Sequence, residues 1–140
     1  MERALRVYRD ILGFKVNFLL DSLGVAPEMF GLPHSTKMRV AFISEGKGTF
    51  GSLGLSEAKD VDIPTPKPPY PFNIIIEVKE GRLAGILDEL RAEGLEVGTA
   101  YELEQPKRTD VTITDHDGHR VTLFEIHPKK KTTVKEEEND

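Results

Sequence analysis

Apolar side chains recur along this chain at two spacings. Within residues 2–12, Leu5, Tyr8, Ile11 and Leu12 fall at three- and four-residue intervals, which predicts an amphipathic helix with Gly13 as its stop. Leu83, Ile86, Leu87 and Leu90 repeat the pattern within 80–94, and Gly94 ends it. Runs of bulky and β-branched residues predict strands at 14–20, 37–44, 49–57, 72–78, 95–104, 108–115 and 119–126. A helical turn is expected over 24–33, closed by Gly31 and Pro33, and "GKGTFG" (46–51) reads as a hairpin connection. Between the two groups of elements, prolines at 64, 66, 68, 69 and 71 make residues 58–71 an extended, stiff joint.

The second group reads strand, helix, strand, strand, strand. The first reads the same without its opening strand. "VYRDILGFKV" echoes "LDELRAEGLEV", and "SLGLSE" echoes "VTLFE". This predicts an α+β protein of two βαβββ modules, residues 1–57 lacking the first strand and 72–126 complete, joined by the 58–71 linker. Their sheets are expected to face one another across a shared cleft. The tail 127–140, with lysine and glutamate runs and little to bury, is expected to be disordered.

Composition narrows the function classes. A formal net charge of −5 without a basic face argues against nucleic acid as a partner. The absence of cysteine removes disulfides, thiolate nucleophiles and cysteine-ligated zinc together. Apolar runs fall short of the roughly 20 residues of a membrane helix, and "MERALRVYRDILGF" has no apolar signal core. A cytoplasmic protein is therefore expected.

"ERALRVYRDILGF" and "TDHDGHRVTLFE" resemble the first helix and the last hairpin of the vicinal oxygen chelate superfamily: glyoxalase I, extradiol dioxygenases, and fosfomycin and bleomycin resistance proteins. The resemblance covers residues 2–126 and implies the two-module βαβββ fold around a cleft. In the glyoxalase-type enzymes it implies a divalent metal held by a His or Gln on the first strand of each module and a Glu on the last. Carried onto this sequence, that pattern places Gly54, Asn73 and Thr122 at three of the four positions. The fourth would lie on the opening strand that this chain lacks.

Strand alternation reaches the same positions from the residues alone. Phe72, Ile74, Ile76 and Val78 form a face toward the helices, leaving Asn73, Ile75 and Glu77 on the other. Leu53 and Leu55 leave Ser52, Gly54 and Ser56; Val121 and Leu123 leave Thr122, Phe124 and Ile126. One carboxylate and no histidine on this wall cannot hold a catalytic divalent ion, which needs about three good donors. The expected ligand-binding residues are Asn73, Ile75, Glu77, Tyr101, Thr122, Phe124 and Ser56, with no metal ligand and no catalytic residue assigned.

"TDHDGHRVTLFEIH" (114–127) crowds two aspartates, a glutamate and three of the four histidines together. The reading favoured here is a hairpin turn at Asp115–His119, with His116 and His119 projecting from a surface loop. Glu125 falls on the helix side by alternation. His34 and His127 read as solvated loop residues, Tyr8 as core, and Arg9 and Asp10 as surface or helix-end residues.

Three functions remain open. The first is a metal-independent protein binding a small organic molecule. The second is a lyase, dioxygenase or isomerase with a divalent metal such as Zn, Ni, Mn or Fe, drawing ligands from an absent strand, a second chain, or Glu77, Glu125 or His119. The third is a shortened product of a longer chain. The unpaired sheet edge predicts a homodimer or aggregation.

Overall fold

The structure is a computed structural model that describes residues 1–21, 25–46 and 53–128. The expected hairpin connection after Gly46, Ser52 with the start of the third expected strand, and the tail beyond 128 lie outside the described residues.

The chain opens with helix α1, Glu2–Leu5, which widens into a π-helical segment, Arg6–Ile11. The wide turn is visible where the Leu12 N–H donates to the Val7 carbonyl at 2.9 Å. Its effect is to bury Val7 beside Leu5, Tyr8 and Ile11, while Leu12, expected on the buried face, is only partly covered. Strands β1 (Lys15–Asp21), β2 (Met38–Ser44) and β3 (Leu53–Ala58) follow, with a 3₁₀ turn at Pro27–Phe30 between the first two. Then come β4 (Ile74–Glu77), α2 (Leu83–Ala92), β5 (Glu96–Glu104), β6 (Lys107–Thr114) and β7 (Arg120–Ile126). Helix α2 buries Leu83, Ile86, Leu87 and Leu90, the stripe the spacing predicts. No helix among the described residues is long and apolar enough to cross a membrane.

The strands form two sheets, β1-β2-β3 and β4-β7-β6-β5. All pairings are antiparallel except β4 with β7, which is parallel. A parallel neighbour needs a crossover, and α2 belongs to that connection. Ala41 and Ile43 of the first sheet and Val111, Ile113, Val121 and Leu123 of the second join both helices in one core. The sheets, few helices and single core make an α+β architecture.

The last strands of the two sheets end differently. In β7, flanked by β4, Val121 and Leu123 are 0% exposed. In β3, which has β2 as its partner and no strand beyond it among the described residues, Leu53 and Leu55 are only partly buried.

One expectation fails here. Phe72 does not face the helices: it precedes β4 and is exposed. Within and just after the proline-rich joint, residues 65–72 pack on the turn between β6 and β7. A Cβ built on Gly118, whose φ is +87°, would lie 2.5 Å from Thr65 Cγ2. The guanidinium of Arg120 lies 4.8 Å over the Tyr70 ring. Residues 65–72 thus form a strap across that turn.

Candidate functional site

The face of β4-β7-β6-β5 turned away from the helices carries most of the residues singled out by alternation. Ile75 stands opposite Thr122, which stands opposite Thr112. One step along, Glu77 lies opposite Phe124, Phe124 opposite Asp110, and Asp110 opposite Tyr101. Ile75 and Tyr101 are 66% and 63% exposed, so large apolar surface is open to solvent. Thr122, by contrast, is buried and hydrogen-bonded from two sides. The Asn73 amide donates to its Oγ1 at 2.5 Å, and the Thr112 hydroxyl lies 2.7 Å from the same oxygen. Arg108 is held against Asp110 at 2.8 Å and its guanidinium sits 5.6 Å from the centre of the Phe124 ring. Ser56 belongs to the other sheet, opposite Val40, and no hydrogen bond among the described residues joins it to this row.

The positions that the superfamily resemblance assigns to metal ligands can be tested for fit. Gly54 offers no side-chain donor, and its missing Cβ faces the Phe42 ring at 3.6 Å. Asn73 and Thr122 are neutral and hydrogen-bond to each other. This donor set does not fit a divalent cation.

The 114–127 stretch folds as a turn, with Gly118 in the left-handed conformation that such turns favour. Its centre is the buried carboxylate of Asp115. One oxygen accepts the backbone N–H groups of Asp117 and His119, each at 2.9 Å. The other accepts the Tyr8 hydroxyl at 2.8 Å and lies 3.1 Å from His119 Nδ1. Two corrections follow. His116 does not project freely, since its Nε2 is buried and has no hydrogen-bond partner among the described residues. His119 is half-exposed and tied to Asp115. Asp115, Asp117 and His119 do place one donor atom each within 4.8 Å of one another. The Asp115 oxygens are, however, already occupied by four groups, and Asp117 pairs with Arg3 at 2.9 Å.

The electrostatics of this knot follow from its geometry. Burial pushes the Tyr8 hydroxyl up, and the neighbouring Asp115 charge adds to it. Burial alone would raise Asp115, but hydrogen bonds from the His119 ring and backbone and from Tyr8 outweigh it and hold the carboxyl below its usual range. The hydrogen bond to Asp115 raises His119, against the opposing effect of burial. A lowered acid contributes stability above its unfolded value of about 3.9 and loses it as pH falls. A raised histidine contributes below about 6.5 and loses it as pH rises through its folded value. The pair is therefore strongest between these limits. Stability from urea unfolding should fall modestly from about pH 6 to about pH 9, the ring being half-exposed and screened. His119→Gln should remove that fall; an identical pH slope in the variant would refute the assignment.

Several other side chains have structural partners. Glu125 is buried and accepts the Leu83 N–H at 2.8 Å, satisfying a free donor in the first turn of α2. His34 faces Glu28 but is 92% exposed, a solvated loop residue as expected, whereas His127 is partly covered and faces Thr109. Arg9 and Asp10 form an exposed pair. Sequence reasoning did not find the Tyr8–Asp115 bond, the Arg108–Phe124 contact or the Tyr70–Arg120 stack. For the first there was a signal: a tyrosine on an apolar helix face needs a partner for its hydroxyl.

Neither a protein-family model nor a curated protein sequence matches the chain. Solved structures do. A glyoxalase family protein from Bacillus cereus superposes with a TM-score of 0.72 at 16% identity, over 91% of this chain and 87% of that one. A glyoxylase/bleomycin resistance protein/dioxygenase domain from Frankia gives 0.61 at 16%, over 93% and 86%. The trypanothione-dependent glyoxalase I of Leishmania major gives 0.61 at 21%, over 89% and 78%. The fold of this chain is that of the vicinal oxygen chelate proteins. FosX, a fosfomycin resistance protein from Listeria monocytogenes, shares that fold as well, with a TM-score of 0.57 at 11% identity over 91% of this chain and 84% of that one.

Proposed function

We propose that this protein binds a small organic molecule on the open face of β4-β7-β6-β5, without a catalytic metal, as a cytoplasmic homodimer. The Asn73–Thr122 hydrogen bond carries this reading. An amide and a hydroxyl oriented against each other, beside exposed Ile75 and Tyr101 and the Phe124 ring, give apolar surface with a few fixed polar groups. Small organic ligands are held by surfaces of that kind. The fold neighbours are described as glyoxalase, fosfomycin resistance and bleomycin resistance proteins, names that refer to small organic compounds. Ser56 would contribute from across a cleft, and Glu77 from the rim.

The test joins metal analysis to ligand binding. Untagged protein purified without chelator should carry far less than one Zn, Ni, Mn, Fe or Co per chain. Indole should raise the melting temperature of the native protein, and Phe124→Ala with Thr122→Val should abolish the rise. Stoichiometric metal, or an indole shift indifferent to both substitutions, would sink the proposal. A metal-dependent reading rests on the grouping of Asp115, Asp117 and His119. It requires stoichiometric metal that Asp117→Asn or His119→Gln releases.

A further inference from the structure

Arg120 begins β7 on the same face as Thr122 and Phe124, at the end that the strap crosses. It donates to the Thr114 hydroxyl at 2.9 Å and lies against the Tyr70 ring. These two contacts fix its guanidinium without neutralising it. Arg3, Arg6, Arg9, Arg39, Arg91 and Arg108 each pair with a carboxylate. Among the described residues Arg120 and Arg82 have no such partner, although the chain carries a formal net charge of −5, and of the two only Arg120 is held by side-chain contacts. The nearby carboxylates are otherwise engaged: Asp115 in its four hydrogen bonds, Asp117 with Arg3.

Beside Arg120 is a cavity of about 50 Å³, lined by Pro66, Tyr70, Phe72 and His119 among others. The space is partly open to solvent and large enough for a small polar group. Its walls are mostly proline and aromatic carbon, and Phe72 stands exposed at the site. A planar carboxylate matches the fork of a guanidinium.

We propose that Arg120 binds the carboxylate of a small aromatic acid at the junction of the strap and the β6–β7 turn, with the acid's ring lying on Phe72. The proposal rests on the reading of this sheet face as a ligand surface and specifies the charge of what it takes. Tyr70 acts here as a positioning residue, holding the guanidinium flat.

Sodium benzoate is the probe, followed by calorimetry and by amide shifts of 118–122. Arg120→Gln should weaken benzoate at least about tenfold, the effect of losing one charge-assisted contact. Arg120→Lys, which keeps the charge but not the fork, should weaken it several-fold, and Tyr70→Leu likewise. Arg82→Gln removes another exposed arginine and should change nothing. Melting temperatures establish that each variant is folded. Equal benzoate binding by native protein and Arg120→Gln, an equal loss in Arg82→Gln, or no binding at about 10 mM, a concentration at which even millimolar affinities register, would overturn the proposal. If indole still responds to Phe124→Ala while benzoate ignores Arg120, the sheet face stands and this subsite fails. If benzoate depends on Arg120 while indole ignores Phe124 and Thr122, the subsite stands and the broader face fails.

Discussion

Asp115→Ala should lower the unfolding free energy by about 3 kcal/mol, the sum of lost charged hydrogen bonds and a stranded buried hydroxyl. The carboxylate serves four groups, and its removal leaves the Tyr8 hydroxyl buried without an acceptor. Water cannot readily replace it, since Tyr8 is 2% exposed. For a domain of this size the loss corresponds to a drop of about 10 °C in melting temperature, measurable by calorimetry. Tyr8→Phe removes only the hydroxyl and should lose about 1 kcal/mol. Because the two residues touch, the double substitution should lose less than the sum. Strict additivity, or a loss under about 1 kcal/mol for Asp115→Ala, would show that the bond does not join the π-helical segment to the turn in solution.

Gly118→Ala should lose about 2–3 kcal/mol, for two separable reasons. The φ of +87° lies where a Cβ strains the backbone, which accounts for roughly 1 kcal/mol. The remainder comes from the strap, because the new methyl would stand 2.5 Å from Thr65 Cγ2 and 3.2 Å from Pro66 Cδ. Thr65→Ser deletes the methyl that clashes most. In the Gly118→Ala background it should recover part of the loss, while alone it should have little effect. Protease cleavage within 59–73 should rise in Gly118→Ala and fall again in the double variant. A loss within about 0.5 kcal/mol of zero for Gly118→Ala would mean that the strap does not rest on the turn.

Much of the fold is legible in the sequence because burial writes periodicity. The leucine stripe of α2 and the alternating runs of β4 and β7 identify their elements and faces, since each side chain's neighbour is set by the local backbone. Alternation also separates Glu125 from Thr122 and Phe124, and Glu125 is indeed engaged with α2. The resemblance of the two end motifs supplies the architecture that periodicity alone leaves open. What escapes is whatever local geometry does not determine. A single wide turn exchanges Val7 for Leu12 in the core. The Tyr8–Asp115 bond spans 107 residues, and no spacing rule reaches that far. The strap leaves no trace because proline and tyrosine pack there without a period. Of the seven expected ligand residues, six gather on or beside one sheet face. Ser56 lies on the other, and sequence alone does not fix how two sheets sit.

Among the described residues no strand pairs with the outer margin of β3, which leaves that margin available to a strand supplied from outside. The β3 backbone runs from Leu53 to Ala58 without a register shift, a proline or a lysine to discourage an incoming strand. A supplied six-residue peptide alternating valine with threonine has the hydrogen-bonding pattern to extend the sheet, and its valines would cover Leu53 and Leu55. Fused to a fluorescent reporter, such a peptide would make this strand edge an addressable socket for labelling or for joining this domain to others.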